Sequence, residues 1–214
     1  MIQRFTSLAL VLSFLAPACV TTVEGRPRQD SAEDKSPWLE PSPVLREQIR
    51  DTIERMPWTH GAERIDQIRW LASVGEAAYT QLLPVCLDPR PDVAGSALAA
   101  LGATGDGRLV EPLRELDWPS ESKLDDKLLL ERARTYVRLG DWSQIQVLVD
   151  GLRSDDVWTR GWCSQALYEV TKERFDYNAH AEPEERAKAI EKWQQWLDSR
   201  RVEGLLPGES SKRK

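Results

Sequence analysis

Between about residue 43 and residue 200, apolar positions recur every three or four residues, the spacing of one buried helical face. Leu45, Ile49, Ile53 and Met56 make the first stripe. Ser42-Pro43 precedes it, a capping residue followed by the residue favoured in a first turn, and Pro57 stops it. Four helical hairpins are predicted after this helix. The first pairs about 62–74 with 76–87; Ile65, Ile68 and Leu71 form one stripe, Leu82, Val85 and Cys86 the other. Gly75 makes its turn, and Pro84 should kink the second helix or shift its start. The second pairs 92–101 with 108–116 across a turn at 102–107. The third pairs 123–139 with 142–152, and the fourth 156–171 with 183–200. No run of Val, Ile and Thr with period two marks a strand. The chain therefore reads as all-α. One hairpin cannot bury its apolar face alone, so neighbours must stack.

The first residues read differently. Arg4 leads an apolar run from Phe5 to Leu15, the layout of an export signal. A membrane-spanning helix needs roughly 20 apolar residues, and this run ends at Pro17. Ala16-Pro17-Ala18-Cys19 follows, and two readings of it stay open. Ala16 and Ala18 fit ordinary signal cleavage. A Cys after a small residue also resembles the lipobox of bacterial lipoproteins, which implies a lipid on Cys19 and attachment to a membrane. The lipobox prefers Leu where this chain has Ala16. The expected division is a signal at 1–18, a linker at 19–42, the helical body at 43–203 and a disordered tail at 204–214. Trp38 stands out in the linker and is a candidate to pack on the first helix.

The segment Asp92-Val93 to Ala97-Leu98, ending Leu101-Gly102, resembles HEAT repeats, particularly the short type named after phycobilisome lyases. Ala166-Leu167-Tyr168-Glu169-Val170-Thr171, Arg174-Phe175-Asp176-Tyr177 and Ile190-Glu191-Lys192-Trp193 resemble the terminal repeat of exported bacterial HEAT proteins. The resemblance spans roughly 61–200. It implies a right-handed α-α superhelix (a HEAT-like solenoid) with protein-binding surfaces. The second helices line the concave side of such arrays, which marks Gln81, Glu111, Arg114, Gln144, Gln146 and Gln195 as candidate contacts with a partner protein.

Composition narrows the function. Hydrophobic residues make up 41% and charged residues 30% of the 214 positions, which suits a folded body with tails. A net charge of -6 argues against a nucleic-acid partner, and the basic run Lys212-Arg213-Lys214 falls in the tail. The two histidines, His60 and His180, fall in loops without metal-ligand spacing, so neither a metal nor a cofactor is expected. Asp125-Asp126 and Asp155-Asp156 read as helix caps and first-turn charges, not as a catalytic pair. Cys86 and Cys163 belong to the first and fourth hairpins, too far apart for a disulfide, and read as buried thiols. Trp158, Trp162, Trp193 and Trp196, with Phe175 and Tyr177, are read as a terminal aromatic core, or as an exposed patch that grips a partner. The expectation is an exported, non-catalytic scaffold that binds another protein at the cell envelope. A degenerate lyase-type enzyme acting on a chromophore and a purely structural envelope spacer are the rivals.

Overall fold

The computed structural model describes residues 36–203 and 206. The expected signal, Cys19, most of the linker and the tail apart from Leu206 lie outside the described residues. Those described form helices and loops, with no strand among them.

Local sequence sets most helix ends. Helix α1 spans Pro43–Arg55, and the Ser42 hydroxyl accepts from the Leu45 amide at 3.3 Å. A tight turn through Pro57 leads to α2, Gly61–Val74, which stops at Gly75 with φ +67°. Helix α3 is only Glu76–Leu82. Pro84 does not kink it; the helix ends and tightens into a 3-10 turn at Leu83–Leu87, because proline has no amide hydrogen to continue the ladder. Helix α4 spans Pro91–Thr104 and ends at left-handed Gly105. It runs three residues beyond the expected end. Gly102, read as part of the turn, lies inside the helix because α6 approaches there: a β-carbon at Gly102 would sit 3.1 Å from the Thr135 Cα. Helix α5 is a short Val110–Glu115 after a 3-10 turn. Helix α6 spans Asp126–Arg138, starting later than expected because Asp125 caps the Lys127 and Leu128 amides. Helix α7 is Ile145–Gly151, α8 is Val157–Thr171 capped by Asp156, and α9 is Pro183–Val202. None of these helices is long and apolar enough to cross a membrane.

The first helices of the pairs pack in chain order, α2 on α4, α4 on α6 and α6 on α8, while α3 packs on α1 and α7 on α8 and α9. Two core clusters result. Ile49, Met56, Leu71, Leu82, Leu98, Leu101, Leu109 and Leu113 centre the first. Leu148, Leu152, Cys163, Leu167, Trp193 and Leu197 centre the second. Helix α6 serves both: Leu128 and Tyr136 belong to the first, Ala133 and Val137 to the second. Each fully buried leucine contributes about 1.5–3 kcal/mol relative to exposure. Ile65, placed in a buried stripe by its spacing, is 48% exposed, whereas Leu71 is fully buried in the first cluster and Ile68 packs partly buried against it.

Trp38 packs against the first cluster and lies edge-on to Tyr79 of α3, with ring centroids 5.0 Å apart. Arg108 covers its ring, and the Leu39 amide donates to Glu76, so the stretch before α1 runs along α3. Cys86 and Cys163 are buried and unpaired, one in each cluster. The terminal aromatics mostly form core: Trp193 is buried, Phe175 meets it edge-on at 4.7 Å, and Trp196 at 5.8 Å. Trp158 does not join them and is 84% exposed.

Candidate functional site

Most of the polar residues singled out on the second helices already bond to neighbours within the fold. Arg114 of α5 donates to Glu111 and to Asp141, which ties α5 to the turn before α7. Gln146 accepts from Arg201 at 2.9 Å and donates to Asp150. Gln144 is half-buried beside α7. Gln195 is exposed and donates to Glu191 of its own helix. Gln81 is half-buried, with its amide nitrogen shielded and without a partner. These residues are therefore not gathered into one open patch. Trp158 belongs to the other row, at the start of α8.

A groove crosses that row of first helices. It consists of two depressions, of about 720 and 590 Å³, which share Asp125, Lys127 and Glu131. On α6, Lys127, Glu131 and Arg134 are spaced four and three apart and so share a face. Trp158 and Trp162, four apart on α8, close one side of the larger depression. On α4, Gly95, Ser96 and Ala99 keep the floor of the smaller one low, and Arg64 and Ile68 of α2 bound it.

Most charges here are already matched. Arg64 pairs with Asp92 at 2.8 Å. Arg134 stacks over Trp162, 5.1 Å from the ring centre, and bonds to both oxygens of Glu169 at 2.9 Å. Arg138 reaches the same carboxylate at 2.7 Å. Burial alone would push the Glu169 carboxyl up, but the two arginines hold it below the usual range. Bonds from Thr159 and Trp158 lower Asp156.

Glu131 is the exception. Its side chain is 14% exposed, and one oxygen stands 3.6 Å from Arg134. The other, Oε1, is shielded from solvent and has no hydrogen-bond partner. Burial pushes this carboxyl above its ordinary range, against the pull of Arg134 and Arg138. Around it the larger depression carries Asp125, Asp126 and Asp156 against a single Lys127. Of the hydroxyls at hand, Thr159 donates to Asp156, Ser96 donates to the Asp92 carbonyl, and Ser154 accepts from the Asp156 amide. Neither histidine lines the groove.

The sequence marks Trp158 as core or as an exposed contact, and marks none of Glu131, Lys127 and Arg134. Their spacing on α6 was readable; that α8 brings two tryptophans alongside was not.

No known protein family, curated protein or solved structure matches the chain.

Proposed function

We propose that this chain is a HEAT-like solenoid acting as a non-catalytic protein-binding scaffold at the cell envelope, exported by its first 18 residues and anchored through a lipid on Cys19. The observation that carries the binding role is the groove across α4, α6 and α8, with the bare ring of Trp158 at its edge. An indole left in water on a folded surface is the residue type that protein interfaces use as an anchor. Helices layered in chain order favour the solenoid reading, because each added pair lengthens one continuous face. The export reading rests on Arg4, the apolar run after it and the small residues before Cys19.

Affinity capture from detergent-solubilised envelope tests the scaffold. A partner in stoichiometric amount, lost when Trp158→Ala replaces the wild type, is expected. No partner, or a coloured or covalently modified product instead, refutes it. Palmitate labelling, expected in the wild type and absent in Cys19→Ala, tests the anchor.

A further inference from the structure

We infer that the depression between the first turns of α6 and α8 receives a lysine or arginine side chain from the bound protein segment, with Glu131 as its buried acceptor and Trp158 as the ring that covers it. This rests on the protein-binding reading above and adds the chemistry of what is bound.

Glu131 lines both depressions, yet its Oε1 has no donor and its other oxygen has only a 3.6 Å approach from Arg134. A shielded acceptor without a donor is costly, and folds normally supply one. Arg134 bonds Glu169 through Nε and Nη2 and stacks on Trp162, so only its Nη1 is left for Glu131, 3.6 Å from the other oxygen. The fold thus holds Arg134 mainly on Glu169 and leaves Glu131 short of a donor in the wall of a cavity that Asp125, Asp126 and Asp156 also line. A donor brought from outside would complete the set, and the surrounding carboxylates favour a cationic one.

The aromatic side of the cavity points the same way. Trp38, Trp118, Trp162 and Trp196 each carry an arginine over the ring, at 5.1 to 5.5 Å. Trp158 has no such cation among the described residues and is open to solvent beside the acids. A flat cation can use both halves of this site at once, the ring by cation–π attraction and the carboxylate by a charged hydrogen bond. A bare metal ion fits less well. Among the described residues no three acidic, histidine or cysteine side chains are grouped closely enough to hold one.

The test is fluorescence anisotropy of the full chain with a fluorescein-labelled peptide of alternating arginine and alanine, with a glutamate-alanine peptide as control. The arginine peptide is expected to bind and the glutamate peptide not to. Glu131→Gln should weaken binding about tenfold, the loss of one charge-assisted bond in a shielded site. Trp158→Ala should weaken it several-fold. Glu54→Gln removes the same charge from an exposed position on α1, outside the groove, and should leave affinity unchanged. Circular dichroism melts should show Glu131→Gln folded, with an unchanged or higher midpoint. Equal weakening by Glu131→Gln and Glu54→Gln would reduce the effect to general attraction by an acidic protein and overturn the inference, as would no binding. An envelope partner captured equally well by wild type and Glu131→Gln sinks this inference while leaving the scaffold standing. Absence of any partner sinks the scaffold itself.

Discussion

Gly151 sits where three helices meet, and enlarging it gives a sharp test of this packing. It closes α7, and a β-carbon there would fall well inside contact distance of Cys163 Sγ on α8 and 3.1 Å from Leu130 Cδ2 on α6. Carbon atoms pack best at roughly 3.5–4.0 Å, so Gly151→Ala must displace the thiol, which is fully buried. Overpacking of this kind costs about 1–3 kcal/mol. The better helix propensity of alanine returns roughly 0.5 kcal/mol near a helix end. A net loss of about 0.5–2.5 kcal/mol is expected. Cys163→Ala alone removes one buried atom and should cost about 1 kcal/mol. In the double variant the new methyl occupies the space the sulfur leaves, so the losses should not add. The coupling should be about 1–2 kcal/mol in the stabilising direction. Urea unfolding followed by circular dichroism at constant slope measures all four corners of the cycle. Costs that add to within about 0.5 kcal/mol would show that the methyl and the thiol do not compete, and would refute the α7–α8 packing described here.

Glu169 joins α6 to α8 by holding Arg134 and Arg138, so Glu169→Gln should cost about 1–3 kcal/mol near neutral pH, below the figure for fully buried pairs because these side chains are partly exposed. The Glu169 carboxyl lies below its usual range in the folded chain, so its contribution is present above the unfolded value of about 4.3 and fades as pH falls through the folded value. The gap in melting midpoint between wild type and Glu169→Gln should therefore narrow in acid; a constant gap argues against the ion-pair account. Burial raises the Cys86 and Cys163 thiols to about 12. In a Cys19→Ala chain neither should react with an aromatic disulfide reagent at mildly alkaline pH until urea unfolds the protein, and prompt reaction of the native chain would contradict their burial.

The sequence was most legible where the physics is local. Ser42, Asp125 and Asp156 cap helices because a short side-chain oxygen can reach amides two or three residues ahead, a relation visible in the chain itself. Gly75 and Gly105 end helices for a similar reason. Legibility failed where a distant segment decides. Gly102 looks like a turn residue until Thr135 packs against it. Nothing beside Trp38 announces Tyr79, some forty residues on. Arg114 reads as an open surface charge, yet Asp141 holds it at 2.6 Å. Glu131 looks like any glutamate on an amphipathic helix, and only the commitment of Arg134 to Glu169 on another helix leaves it short of a donor.

Helix α6 presses leucine and tyrosine into one cluster and alanine and valine into the other. It is a party wall, and neither room stands without it. Peeling away the last pairs would bare one flank of α6 and loosen what the other flank supports. Melting that in longer arrays could creep unit by unit from an end is here forced toward a single event, with the amides of α6 among the last to trade their hydrogens with water.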